Sequence, residues 1–164
     1  SGIANAFGDF ARMPRAKPED LDLGEVAEVA LAVFTGTPNL QFTLEKKNNG
    51  PFLIHADREQ LLRVFNNLLK NALQSVPDDR KAEIRVALAH DKSNVIVEIH
   101  DNGIGIAEAD RERIFQPNFT TKSSGMGLGL AMVQRIVEAA GGTVSFTTEE
   151  EVGTTFIVAL PLRT

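Results

Sequence analysis

The sequence predicts an α+β fold, a two-layer α/β sandwich in which one mixed β-sheet carries helices packed on one face. Three observations predict it. Two pairs of segments with alternating apolar residues, 84–88 with 95–99 and 143–147 with 155–160, read as β-hairpins. Two longer stretches, 57–76 and 128–140, repeat apolar residues at helical spacing. Along the chain these follow the order helix, strands, helix, hairpin, loop, helix, hairpin, which suits one sheet covered on one side. With 164 residues, 43% of them hydrophobic, the chain is long enough to bury roughly two-thirds of its unfolded surface in a single core.

Residues 1–12 place Ile3, Phe7 and Phe10 at helical spacing, and Pro14 and Pro18 end any helix there. Residues 1–19 are therefore expected to be a helix end and linker, and 20–164 the folded domain; the acidic Glu19-Asp20-Leu21-Asp22 reads with the linker. An amphipathic helix follows at 23–34, with Leu23, Ala27, Ala30, Leu31 and Phe34 on one side, then short strands at 41–44 and 52–55. Asp57 with Gln60 is an N-cap and capping box opening a helix whose apolar stripe is Leu61, Val64, Phe65, Leu68, Ala72 and Val76; Pro77 stops it. Ile84, Val86 and Leu88 alternate, as do Val95, Val97 and Ile99, and Asp91-Lys92-Ser93-Asn94 supplies turn residues between them. From 103 to 125 the periodicity breaks, apart from a helical turn at 108–114, and a loop of that length in a compact domain is usually functional. The helix at 128–140 ends at Gly141-Gly142, and the last hairpin closes the chain.

Composition excludes several classes of function. A formal charge of -5 without a Lys/Arg run argues against a nucleic-acid binder, which needs a basic face for phosphates. The absence of cysteine excludes disulfides and thiolate metal sites and fits a cytoplasmic setting. These residues contain neither an apolar run of about 18 residues nor an export leader, although a larger parent can still be membrane-anchored.

Three stretches carry chemistry. Asn67 and Asn71 lie four residues apart on one helix face, beside Arg63, Lys70 and Gln74 and away from the apolar stripe. Alone, such a pair is an ordinary solvated face. As a site, an Asn oxygen is a hard neutral ligand suited to Mg²⁺, and its NH₂ donates to phosphate oxygens. Asp101-Asn102-Gly103-Ile104-Gly105 ends a strand and reads as a tight turn. Functionally, the Asp101 carboxylate would accept the adenine amino group, with Gly103 and Gly105 letting backbone approach the base. Guanine would set an oxygen against that carboxylate, and two facing acceptors in a buried pocket are costly. Gly125-Met126-Gly127-Leu128-Gly129-Leu130 precedes a helix and is either a mobile connection or a phosphate cradle built from backbone N–H groups and the helix dipole. It matches neither the P-loop nor the Rossmann glycine pattern. Lys122, beside Thr120 and Thr121, can pair with a phosphate, though an isolated loop lysine is usually solvated.

In this order, with Phe115-x-Pro117-x-Phe119-Thr120-Thr121-Lys122 between the last two, the stretches resemble the N box (67–72), G1 box (101–105), F box (115–122) and G2 box (125–130) of the family shared by gyrase, Hsp90, histidine kinases and MutL. Gly153-Thr154-Thr155-Phe156 resembles the closing strand whose threonine also approaches adenine. Over roughly 20–162, the resemblance implies the Bergerat ATP-binding fold with ATP and Mg²⁺ as cofactors. It places Asn71 on Mg²⁺, Asn67 near the phosphates, Asp101 on adenine and residues 106–126 as a mobile lid, with Lys70 also in the nucleotide-binding set. Ile106, Phe119, Leu128, Gly129, Leu130 and Thr154 complete the implied nucleotide-binding set.

One position separates the branches of that family. Members that activate water or a hydroxyl carry a Glu four residues before the magnesium Asn, as general base; this chain has Asn67. An imidazole attacks with its own lone pair and needs no such base. The chain is therefore similar to the catalytic domain of sensor histidine kinases, which implies γ-phosphoryl transfer to a histidine, with Asn67 and Lys122 in the catalytic set. His55, His90 and His100 lack the helical His-Glu context of an acceptor, so the acceptor is expected on a dimerisation domain outside this chain. The resemblance implies a homodimeric parent, a response regulator as downstream partner, and a monomeric fragment. Residues 1–12 resemble the end of the dimerisation helix in NtrY-type nitrogen-regulation kinases. Two other readings stay open: an ATP-gated switch of the gyrase, Hsp90 or MutL kind, and a nucleotide-binding module without catalysis, since Asn118 stands where such kinases carry an aromatic residue.

Overall fold

The structure, a computed structural model, describes residues 15–117 and 129–164. In chain order it contains β1 (Glu19–Asp22), α1 (Leu23–Ala32), β2 (Leu40–Lys46), β3 (Leu53–Ala56), α2 (Arg58–Gln74), β4 (Ala82–His90) and β5 (Asn94–His100). A 3-10 turn at Glu108–Asp110, α3 (Gly129–Ala139), β6 (Thr143–Glu149) and β7 (Gly153–Pro161) complete it. The main sheet runs β2-β4-β5-β7-β6, with β2 and β4 parallel and the other pairs antiparallel.

Alternation sets the two faces of that sheet. Across the register, Val86 meets Ile99, Leu88 meets Val97, Val97 meets Val158 and Ile99 meets Phe156, and all these side chains are buried. They join one core with Leu61, Val64, Phe65, Leu68, Leu69 and Ala72 of α2, which packs between α1 and α3. The other face shows Arg85, Glu98 and His100. The predicted sandwich, a mixed sheet with helices on one face, is the observed architecture.

Capping fixes where the helices begin. Asp57 accepts the Gln60 N–H at 3.2 Å, as its N-cap position predicts, and also the Lys17 N–H at 2.8 Å. Asp22 caps α1 through the Gly24 N–H at 2.9 Å. The Asp91 carboxylate takes the N–H groups of Ser93 and Asn94 in the β4–β5 turn.

Two expectations change. Glu19 to Asp22 are not linker but β1, paired antiparallel with β3 in a separate two-stranded ribbon. Only Leu21 of β1 is buried, so there was too little alternation to show a strand whose partner lies more than thirty residues away. The helix predicted to reach 34 ends at Ala32, and Phe34 folds back through its N–H to the Leu31 carbonyl at 3.0 Å while still packing on the core.

Candidate functional site

On α2, Asn67 and Asn71 are half-buried and Lys70 is exposed, on the helix face the sequence assigned them. Asn67 Nδ2 donates to the Arg63 carbonyl at 2.8 Å. Its Oδ1 faces the start of α3: a Cβ added at Gly129 would sit 2.8 Å from it. Glycine there lets α3 begin against the asparagine face. Leu130 follows, half-buried and packed on the core.

Asp101 leaves β5 with its carboxylate held by backbone. Its Oδ1 accepts the Gly103 N–H at 2.8 Å and the Thr154 N–H at 3.2 Å, while its own N–H donates to the Thr154 carbonyl at 2.9 Å. An acceptor tied into a turn and a strand has one orientation. Gly103 is required by space, because a Cβ would lie 2.1 Å from Ser75 Oγ and 2.7 Å from the Ser75 carbonyl oxygen. Gly105 has φ +76, and a Cβ there would lie 2.6 Å from the Glu149 carbonyl oxygen. The Ile104 N–H donates to the Ser75 carbonyl at 3.0 Å, so the loop after β5 is fastened to the end of α2, one turn beyond Asn71.

Thr154 is 5% exposed, and its side chain meets Thr148 of β6. The Thr148 hydroxyl also accepts the Ile106 N–H at 3.0 Å. The β6–β7 tip closes over the same loop: the Glu151 N–H donates to the Ile104 carbonyl at 2.7 Å and the Glu108 N–H to Glu150 Oε1 at 3.3 Å. Asp101, Gly103, Thr154, Thr148 and Ile106 thus form one hydrogen-bonded unit, with Gly105 packed close to the Glu149 backbone beside it. Asn67, with Gly129 beside it, and Asn71 form a second group on α2, joined to the first through Ser75, whose N–H donates to the Asn71 carbonyl; Lys70 is exposed on the same helix and Leu130 packs on the core. Phe119, Thr120, Thr121, Lys122, Gly125, Gly127 and Leu128 lie outside the described residues, as does Asn118. Phe115 anchors the preceding segment in the core, its ring 6.1 Å from that of Phe146 and 6.3 Å from that of Phe156.

Sequence reasoning passed over Ser75 and Thr148 and read Asn102 only as a turn residue of the 101–105 stretch. Asn102 turns away from the loop, accepting the Glu83 N–H at 2.9 Å and donating to the Lys81 carbonyl at 3.0 Å, so it ties the loop to the start of β4. The Ser75 hydroxyl donates locally, to the Ala72 carbonyl at 2.7 Å, and it is the Ser75 carbonyl and the Thr148 hydroxyl that take partners from remote elements, so neither residue signals its use in the sequence.

The histidines are engaged structurally. His55 Nδ1 lies 2.8 Å from Asp20, His90 Nε2 lies 2.7 Å from the Asn49 carbonyl, and His100 Nδ1 lies 2.7 Å from Thr155 Oγ1. Among the described residues no three His, Asp or Glu side chains converge as a metal cage, and no helix is long and apolar enough to cross a membrane. Two cavities of about 250 and 240 Å³ border β3 and the end of α3, and neither is lined by a candidate site residue. The asparagine face and the loop after β5 lie apart from both.

Known proteins resemble this chain in sequence and fold. The profile of the family described as "Histidine kinase-, DNA gyrase B-, and HSP90-like ATPase" matches residues 56–164. Signal transduction histidine-protein kinase AtoS of Escherichia coli K12 is 35% identical over 94% of this chain and 26% of its own length. Nitrogen regulation protein NtrY of Azorhizobium caulinodans is 30% identical over 87% of the chain and 19% of its own length, so the nitrogen-regulation likeness is one among several. The chain spans about a quarter or less of these two relatives. The catalytic domain of histidine kinase ThkA superposes with a TM-score of 0.80 at 29% identity, covering 89% of this chain and 96% of that one. ThkA in complex with the response regulator protein TrrA gives a TM-score of 0.82 at 25% identity, over 98% of this chain and 46% of that one. The fold is that of histidine kinase catalytic domains, and the chain belongs to the histidine kinase-, DNA gyrase B-, and HSP90-like ATPase family, as an ATP-binding domain.

Proposed function

We propose that this domain binds ATP with Mg²⁺ and transfers the γ-phosphoryl group to a histidine on a dimerisation domain outside this chain, as the catalytic part of a sensor histidine kinase in two-component signalling. The observation that carries the reading is Asn67. A water or hydroxyl nucleophile must lose its proton as it attacks, and a carboxylate four residues before Asn71 would take it. Asn67 has no such basicity, and its amide is turned to the Arg63 carbonyl and the start of α3. A neutral imidazole supplies its own lone pair, so the site lacks nothing for a histidine acceptor.

In this reading the Asp101 carboxylate accepts the adenine amino group, with Gly103, Gly105 and Ile106 lining the base and Thr154 completing its edge. Lys70, Lys122, Thr120, Thr121 and the N–H groups around Gly125, Gly127 and Gly129 face the phosphates and offset charge as the γ-phosphoryl leaves in line. Asn71 is the residue to hold Mg²⁺, which when bound supplies charge neutralisation at the phosphates. The hard amide oxygen of Asn71 suits that ion, which takes oxygen ligands and keeps waters and substrate phosphates in its shell. The acceptor histidine, the homodimeric parent and a response regulator are the partners this reading requires, and the complex of ThkA with TrrA supports the last.

Calorimetry with a non-hydrolysable ATP analogue, paired with phosphate-release kinetics on ATP, tests the reading. Binding that strengthens with Mg²⁺, together with negligible phosphate release, is expected. Steady turnover with water as acceptor contradicts it and returns the chain to the hydrolase branch.

A further inference from the structure

We propose that Asp57 is a positioning residue that pins the chain where it enters the domain: the carboxylate that caps α2 also holds the Lys17 N–H, so the joint to the dimerisation domain lies upstream of Lys17. The proposal rests on the kinase reading above, which puts that domain before this one.

β1 runs along β3 as far as Glu19, opposite Ala56. The next rung of that register would fall to Pro18, which has no N–H to give. Backbone pairing therefore stops, and a side chain takes over. The Lys17 N–H donates to Asp57 Oδ2 at 2.8 Å, while Asp57 Oδ1 accepts the Gln60 N–H at 3.2 Å. Each oxygen of the carboxylate has one task. Bonding to these N–H groups, that of Lys17 foremost, holds the Asp57 carboxyl below its ordinary 3.8, so both oxygens are acceptors at neutral pH.

The surroundings show why this one bond decides the entry of the chain. Ala16 and Pro18 line the cavity of about 240 Å³ together with Leu61 near the start of α2 and Ile136 and Ala139 at the end of α3. An open cavity withholds close apolar packing from the chain there, so the Asp57 bond sets its position. Further along, the chain is sewn to the domain: Arg58 lies 3.6 Å from Glu19, and Asp20 meets both His55 at 2.8 Å and Arg163 at 3.2 Å. These pairs are half exposed and individually weak, but with the β1–β3 ladder they make 19–22 part of the domain. Asp57 extends the fixed part past Pro18. It also opens the helix that carries Asn67 and Asn71, so the direction of entry is set against the element that bears the nucleotide face. A domain held in one orientation meets its acceptor at a higher effective concentration than one on a loosened tether.

Three variants separate the clasp from the cap. Asp57→Ser keeps an N-cap for the Gln60 N–H but has no second oxygen for Lys17; Lys17→Pro keeps the carboxylate and removes the N–H; Lys17→Ala keeps the N–H and is the control. In the intact parent, transfer to the attached dimerisation domain should fall about three- to tenfold in the first two, the value of one net hydrogen bond, and stay unchanged in the third. Transfer from this chain to a separately supplied dimerisation domain, and ATP affinity by calorimetry, should be the same with and without each substitution. Exchange of the Lys17 amide hydrogen should be slower by a similar factor in the unaltered chain than in Asp57→Ser. Attached transfer that is unchanged or faster in Asp57→Ser and Lys17→Pro overturns the proposal. So does an equal loss with the separate domain, which marks a merely structural cap. A freely exchanging Lys17 amide in the unaltered chain overturns it without any variant. An unaltered chain that neither binds ATP nor transfers phosphate defeats the kinase reading and the proposal with it, and a protected Lys17 amide tells that failure from a failure of the clasp.

Discussion

Asp101 and its two glycines can be tested one residue at a time. Asp101→Asn keeps an oxygen for the Gly103 and Thr154 N–H groups but replaces a charged acceptor with a half-donor. Loss of a charge-assisted hydrogen bond worth about 1.5–3 kcal/mol should weaken ATP binding roughly tenfold to a hundredfold. Calorimetry reads it directly, and unchanged affinity would remove Asp101 from the adenine. Gly105→Ala forces a side chain into φ +76 and 2.6 Å from the Glu149 carbonyl, so about 1–3 kcal/mol of stability should be lost in denaturant titration. Asn71→Ala should flatten the Mg²⁺ dependence of nucleotide binding; an identical titration removes that role. At this scale, the residues with a chemical signature of their own were legible: Asp101 before two glycines, and asparagines spaced by one helical turn. Ser75 and Thr148 were not, because their use shows only beside residues of another element: Ile104, whose N–H meets the Ser75 carbonyl, and Ile106, whose N–H meets the Thr148 hydroxyl.

Among the elements, α2 does two jobs with two faces. Its buried stripe of Leu61, Val64, Phe65, Leu68, Leu69 and Ala72 holds it on the sheet, which fixes Asn67 and Asn71 in place on the other side. Leu68→Ala, at a position with no exposure, should cost about 2–5 kcal/mol and lower nucleotide affinity only through unfolding, as a melt with and without ATP would show. On the outer face of the sheet, burial and the nearby Arg85 charge hold the His100 imidazole below its ordinary 6.5; its Nε2 lies 3.2 Å from Glu98 without the alignment of a hydrogen bond. A lowered histidine makes the neutral form the native one, so its contribution is present above pH 6.5 and is lost as pH falls below it, where the unfolded chain takes up the proton first. Denaturation curves between pH 8 and 5 should show that decline, and His100→Gln should flatten it. The long amphipathic helices and the two hairpins were readable because period and turn chemistry agree within each segment. β1 was not, since a short acidic strand gains its identity only from pairing with β3.

For the whole molecule, the order of elements prescribes a sheet with helices on one face; the ends of α2 and β5 and the start of β7 then meet at the loop after β5, while the start of α3 meets α2 at Asn67. That convergence, which no single segment encodes, brings two of the motifs together: Ser75 joins α2 to the Asp101 loop, and the β6–β7 tip closes over it. Histidine-directed transfer is the central claim about this site, and its most direct measurement is label transfer. The chain is mixed with [γ-³²P]ATP, Mg²⁺ and the separately produced dimerisation domain of its parent. Acid-labile label on that domain, absent when its acceptor histidine is replaced, is the expected result. ATP binding without any transfer, or label released only as inorganic phosphate, would contradict it.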